Sequence, residues 1–292
     1  ENADGNTKKY FYDHKTIVRV NDENHERFSF VADYKYKYQY NIESYLWQQY
    51  IDYQLENKLE SGDWISVKHQ FETQAIDPVF MEPESGLAWF DPSHNELNLI
   101  LGTQSPRIDS HNCALMFNTS NSPVNPDKIS LYSCYPGGSF GGRSNSYFTY
   151  YLALAAAFSK GQPVRLIYDR YEQMQSGLKR HASIIKHRIA ADKKGQIKAV
   201  HNHLVFNGGG RKNHSKAVAN LAALCSGGSY DIPFVSIDSE AFRSKSISGG
   251  SQRGFGAPQA FLAIETSMDE LAQKIQMDPI TLRKKKHTEP EA

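Results

Sequence analysis

Cysteine is scarce in this sequence: 292 residues hold three, and Cys113, Cys134 and Cys225 lie far apart. An odd number at such spacing excludes a disulfide framework and a close-spaced metal motif, and fits a reducing compartment. An excess of one charge is also missing. The 33 Lys and Arg against 32 Asp and Glu leave a net charge of +1, so no global field selects nucleic acid or an anionic membrane. The longest apolar stretch, residues 147–158, is too short and too polar at its start to span a bilayer. The opening Glu1-Asn2-Ala3-Asp4-Gly5 carries no basic-then-apolar targeting signal, and the expected location is cytoplasmic. What is present is packing material: 39% hydrophobic residues, with 17 Tyr, 15 Phe and 3 Trp. That excludes a disordered chain, and the length allows two domains or one large one.

Residues 1–60 are rich in Tyr, Asp, Glu, Asn and Lys, which sets a boundary near Ser61-Gly62. It separates an N-terminal segment of unclear assignment, 1–60, from a larger domain, 61–292. In the segment, residues 34–40 alternate aromatic and polar with a strand period. Residues 42–59 offer Tyr45, Trp47, Tyr50, Ile51 and Leu55 to one side of an amphipathic helix. Beyond it, short strands are expected at 87–90 and 97–101 around a turn-rich connection, and a strand at 129–135 follows a helix-compatible stretch at 107–118 and a proline-punctuated loop. An Ala- and Leu-dense helix is expected at 146–158 and a strand at 164–168. Strands at 184–191 and 197–206 bracket the hairpin signal Asp192-Lys193-Lys194-Gly195. A helix of small residues at 214–225, a strand at 234–242 and a helix from about 259 to 276 follow. Asp278 then caps a last helix with Pro279 at its first position. The order is too irregular for a doubly wound sheet, so the expected class is α+β, with mixed sheets and packed helices.

Two glycine-rich loops precede helices. In Gly137-Gly138-Ser139-Phe140-Gly141-Gly142-Arg143 the glycines allow positive φ and a close approach of N–H groups to a bound group. The following helix N-terminus suits an anion or an oxo ligand. No Gly-Lys-Ser/Thr ends the loop and its glycine spacing is not a dinucleotide fingerprint; a plain tight turn looks the same. Residues 248–258 have the same character, with Gly254 and Gly256 flanking Phe255 and Arg253 just before a helix.

In chain order, Met81-Glu82-Pro83-Glu84, Thr103-Gln104-Ser105-Pro106, the 137–143 loop, Arg180-His181 and the 252–259 run form a specific set. Over residues 62–287 the set and its connecting lengths resemble the first half of the molybdenum-cofactor subunit of the xanthine dehydrogenase/aldehyde oxidase family, the molybdenum hydroxylases. The fold implied is that family's first molybdenum-cofactor-binding domain. The resemblance implies that Gln104 hydrogen-bonds an oxygen on molybdenum and that the loop of Gly138, Phe140 and Gly141 brings its backbone to the apical oxo group. It sets Arg253 beside the metal and Phe255 as an aromatic wall. Arg180 would orient a substrate carbonyl by a charge-assisted bond, with Ser144 and Gln252 also on the substrate side. No side chain ligates the metal; a pterin, as molybdopterin or its dinucleotide form, holds it. The implied reaction hydroxylates an N-heterocycle or aldehyde with water as oxygen source, a carboxylate taking the proton. The implied partners are a second half of the subunit, expected to carry the catalytic glutamate and much of the pterin-binding surface, and iron–sulfur and FAD domains or subunits. The chain alone is therefore expected to be inactive.

The sequence departs from the family pattern at three points. Ser139 replaces the middle glycine of the loop, which requires a negative φ there. Ser144 stands where purine oxidisers often carry glutamate, and Gln252 where many carry an aromatic. These favour a second reading, a pseudo-enzyme or assembly subunit without catalysis. A third is a single-strand nucleic-acid binder using Arg253-Gly254-Phe255-Gly256, the basic run 283–286 and the many tyrosines; near-zero net charge and the helical setting of that run argue for a solvated face instead. Glu82 and Glu84 are expected in exposed or capping roles. His201 and His203 share a strand face without a third metal ligand.

Overall fold

The computed structural model describes residues 12–21, 28–34, 49, 53, 56–119, 122–211 and 213–285. The expected alternation at 34–40 lies outside these residues apart from Tyr34, as does most of the helix expected at 42–59; its described positions 49, 53 and 56–59 are helical. The class is α+β, and the chain forms two compact units. One comprises residues 1–74, 181–245 and 254–292, the other 75–180 and 246–253. Residues on both sides of Ser61-Gly62 belong to the first unit.

The first unit is built on a six-stranded mixed sheet. Its strands are β1 (Tyr12–Asn21), β2 (Phe28–Tyr34), β3 (Ile65–Thr73), β8 (Ala182–Ala191), β9 (Ile197–Asn207) and β10 (Phe234–Phe242), in the order β2-β1-β10-β9-β8-β3. β8 and β9 make the expected hairpin. β9 and β10 are parallel, joined through helix α4 (Ser215–Cys225) as a parallel pair requires. Helix α5 (Ala257–Lys274) buries Ala260, Ala263, Ile264, Ser267, Met268 and Leu271, a helical stripe. Against it and α4 pack Ile185, Leu204, Phe206 and Ile237 of the sheet, while Val67, Ile189 and Val200 join Leu271 and Leu282 at the other end. Asp278 accepts the Thr281 N–H at 2.8 Å and starts α6 (Pro279–Lys284) with proline in its first turn. β3 is not assigned by the sequence reading: Ile65, Val67 and Phe71 keep a period of two, but His69 interrupts the apolar face.

The second unit has a four-stranded mixed sheet of β4 (Ser85–Asp91), β5 (Glu96–Gly102), β6 (Ile129–Cys134) and β7 (Val164–Ile167), ordered β6-β5-β4-β7. Helix α1 (Pro106–Phe117) connects the parallel β5 and β6. Helix α2 (Tyr147–Ala157) is favoured by its alanines and is capped by Ser146, whose side chain accepts from Phe148 N. Leu97, Leu99 and Leu101 point to one side of β5 and form the core with Ala88, Phe148, Leu152 and Ala156. The short α3 (Arg170–Ser176) has no apolar run to announce it; a capping box between Asp169 and Glu172 starts it.

Candidate functional site

β6 delivers the chain into the first glycine loop, and α2 takes it away. The loop is fastened from below. Glu82 accepts the Gly138 N–H at 2.9 Å. The buried Arg143 guanidinium donates to the carbonyls of Pro136 and Glu82 and lies 4.6 Å over the Phe80 ring. Within the loop, Gly142 N–H donates to Ser139 O at 2.8 Å and Ser144 N–H to Gly141 O at 3.0 Å. The N–H groups of Ser139 and Phe140 have no partner among the described residues. Positive φ falls at Phe140, +47°, and at Gly141, +97°, and not at Ser139. A phenylalanine in that region is strained, a state found mostly at functional loops.

Gln104 follows β5. Its own N–H donates to Arg143 O at 3.2 Å, and its side-chain Oε1 accepts the Gly141 N–H at 3.0 Å. With the carbonyl end so fixed, the exposed Nε2 is left as a donor without a partner among the described residues.

The second loop enters the same unit through Ser246–Arg253. Gly250 N–H donates to Lys179 O at 2.9 Å, and the buried Lys179 Nζ reaches Asp77 at 2.8 Å. Arg253 N–H donates to Phe140 O at 2.8 Å, and Arg180 Nη2 donates to Arg253 O at 2.8 Å. The structure thus joins Gln104, Gly141, Phe140, Arg253 and Arg180 in one hydrogen-bonded series inside one compact unit. Gln252 neighbours it, half-buried, its Oε1 without a partner. Gly138 and Ser144 are in the first loop itself. Phe255 belongs to the other unit, where its ring stands edge-on to His214 at 5.9 Å.

Glu82, Glu84 and Asp109 do not offer a free base to the series. Glu82 has its pKa lowered, chiefly by the Gly138 N–H, and a stabilised carboxylate is a weak proton acceptor. Glu84 is buried, which raises its pKa, and it is held by Gln173. Asp109 is fully buried and pushed up to about 6. Sequence reasoning gave Thr103 no role beyond its place in the Thr103–Pro106 segment and missed Asp109 and Asn145; together they tie the Gln104 turn to the exit of the glycine loop, and an isolated acid in a first helical turn gives no signal of this. In the other unit, His203 pairs with Glu240 at 2.8 Å and His201 lies 3.6 Å from Glu56. Among the described residues no cluster of His, Cys, Asp and Glu suits a metal ion.

A family model, the molybdopterin cofactor-binding domain, matches residues 41–287. The nicotinate dehydrogenase large molybdopterin subunit of Eubacterium barkeri is 29% identical over 219 residues, 75% of this chain and 50% of that protein. A probable xanthine dehydrogenase subunit of Bacillus subtilis is 31% identical over 212 residues, 73% of this chain and 28% of that one. The aldehyde oxidoreductase of Desulfovibrio gigas has the same fold, with a TM-score of 0.76 at 21% identity over 94% of this chain and 26% of its own. CO dehydrogenase from Oligotropha carboxidovorans gives 0.72 at 26% identity, over 81% and 29%. The chain therefore spans half or less of the length of these relatives.

Proposed function

The chain belongs to the molybdopterin cofactor-binding domain family of the molybdenum hydroxylases, and from that premise we propose that it supplies the metal-facing loops of an oxidoreductase that hydroxylates an N-heterocycle or an aldehyde. The observation that carries this is the Gln104–Gly141–Phe140–Arg253 series, which sets donors from two loops beside one another. These residues fit the cofactor: Gln104 Nε2 and the N–H groups of Ser139 and Phe140 are donors in want of acceptors, in a loop whose next helix adds positive potential. When bound, the molybdenum–pterin group supplies a two-electron acceptor and a Lewis-acidic centre.

In this reading Gln104 donates to an oxygen of the group, the loop of Gly138, Phe140 and Gly141 lines it, and Arg253 adds charge beside it. Ser144, Gln252 and Arg180 face the polar edge of a heteroaromatic substrate; Phe255, which the resemblance gives as an aromatic wall, belongs to the other unit. The Arg180 guanidinium holds the Arg253 carbonyl as well, so it steadies the second loop whether or not substrate is present. Proton removal falls to a carboxylate outside these loops, since Glu82, Glu84 and Asp109 are engaged or buried. That base, the rest of the pterin grip, and the iron–sulfur and FAD centres are assigned to partner domains or subunits. Free Cys113, Cys134 and Cys225 suit a reducing cytoplasm, and among the described residues no helix is long and apolar enough to cross a membrane.

The test is elemental analysis with a dye-reduction assay, on the 292-residue chain and on its complex with the partners. The chain alone is expected to be colourless and inert toward purines and aldehydes, and the complex to hold molybdenum and turn over. Stoichiometric molybdenum with turnover in the chain alone would place a base within these residues and sink the proposal. A second reading, a catalytically silent subunit, rests on the departures at Ser139, Ser144 and Gln252; molybdenum without turnover in the complex would select it.

A further inference from the structure

We propose that Asp109 is a positioning residue: its buried carboxylate holds the 103–105 turn so that the Gln104 side chain stays on the Gly141 N–H. The inference rests on reading Gln104 as a cofactor-facing residue.

Asp109 sits in the first turn of α1 and is 0% exposed. An acid in that position interacts favourably with the helix dipole from the surface; no such interaction requires burying it. Burial of a carboxylate is costly unless its oxygens are satisfied, and among the described residues no ion pair reaches Asp109. Its partners lie on both sides of Gln104. Thr103 Oγ1 donates to Oδ2, and Ser105 Oγ donates to Oδ1 at 3.4 Å.

The same two hydroxyls continue the network into the glycine loop. Thr103 Oγ1 accepts the Ser105 N–H at 3.0 Å and lies 3.2 Å from Arg143 O. Ser105 Oγ accepts the Asn145 N–H at 3.1 Å. Asn112, one turn along α1, donates to Asn145 Oδ1 at 2.9 Å, and Asn145 has a φ of +57°. The inner side of α1 therefore brackets the Gln104 turn and the loop exit together. An apolar residue would fill the space at lower cost; the carboxylate adds the orientation of two hydroxyls.

The bracket is also sensitive to protonation. Burial pushes the Asp109 carboxyl up to about 6, so the group changes charge in the neutral range. The ionisable groups that feel it are Cys113 on its own helix, Tyr150 on α2 and Glu84 just before β4; of Arg143, only the backbone carbonyl is reached, through Thr103. Cys113 and Tyr150 are each pushed up to about 12 and stay neutral there. Because burial raises this value above that of an exposed carboxyl, the buried state favours the neutral form, and as the pH falls through about 6 the turn tightens, Thr103 still donating to an oxygen of the neutral acid.

The test is amide hydrogen exchange by NMR on the cofactor-free 292-residue chain, with protection factors read from pH 5 to pH 8. In the parent chain the Gly141 protection factor is expected to rise several-fold as the pH drops through about 6, because the raised value makes the closed state bind the proton more tightly than the open one. D109A should lower it about tenfold at pH 7, with β8 and β9 amides unmoved. D109N, which can still accept from Thr103, should keep the protection and lose the pH step. T103V tests the same link with Asp109 intact and should match D109A. Unchanged Gly141 protection in D109A, or in T103V if D109A does not fold, overturns the proposal, and so does an equal loss at every amide. Molybdenum uptake by the partner complex is measured separately, so a failed cofactor assignment leaves this result standing and the reverse also holds.

Discussion

Gly141→Ala separates the contact between the two glycine loops from ordinary backbone strain. A Cβ at position 141 would meet Ser251 Oγ at 2.7 Å, Gln252 Cα at 3.0 Å and the Ser251 carbonyl carbon at 3.0 Å. The hydroxyl can rotate away, but the two backbone atoms cannot move without shifting the second loop. Positive φ adds about 1–2 kcal/mol for any L side chain. Moving the loop strains the Arg253 N–H to Phe140 O bond, a net loss of roughly 0.5–1.5 kcal/mol if it breaks. The expected cost to the second unit is thus about 1.5–3.5 kcal/mol, read from urea midpoints at constant m. Two controls divide it. Gly62 has a φ of +75° and open space around a Cβ, so Gly62→Ala should show the φ cost alone. Gly227 has open space and no positive φ, so Gly227→Ala should stay within about 0.5 kcal/mol. Hydrogen exchange at Arg253 should rise in Gly141→Ala only. Were Gly141→Ala to cost no more than Gly62→Ala with Arg253 exchange unchanged, the close approach of the loops would be refuted.

Burial, with His69 adding repulsion, pushes buried His187 down to about 3, and neither ring nitrogen has a partner. The unfolded chain takes up this proton near 6.5, so the stability of the neutral residue is complete above pH 6.5 and is lost as the pH falls toward 3, by at most about 1.4 kcal/mol per pH unit; His187→Leu should flatten the urea midpoint between pH 6.5 and 4.5, and an unchanged slope would count against the burial. Lys179→Met leaves Asp77 buried and unpaired and should cost about 3–5 kcal/mol in urea unfolding, whereas a loss below about 1 kcal/mol would mean that water replaces the lysine. On the proposed function, Ser144 and Gln252 should grip xanthine poorly in the partner complex, with about 1.5–3 kcal/mol, or ten- to hundredfold, missing for want of a charge-assisted partner. Xanthine turnover at the level of purine oxidisers would contradict this, and Ser144→Glu should recover part of the deficit in KM.

The two loops were legible because their contacts are made by backbone. A backbone on which a Cβ would meet another segment's Cα at 3.0 Å, with φ at +97°, needs glycine, and Gly141 is visible as such in the sequence. The β8–β9 hairpin and the α5 stripe were readable for the same kind of reason, since a period of two and a period of 3.6 leave different traces. β3 was not, because His69 sits on the face that Val67 and Phe71 bury. Asp109 could not be read either: in the first turn of a helix an acid has a sufficient surface explanation, and only the packing of β5 and α2 around α1 turns it inward. The anchoring contact of Arg180, as distinct from the residue itself, is harder still, for it is made to the Arg253 carbonyl, a group that every residue type carries. Contacts between backbones select glycine and so write themselves into the sequence, whereas a side chain that holds a carbonyl selects nothing at the far end. The anchors of a loop are for that reason harder to read than the loop.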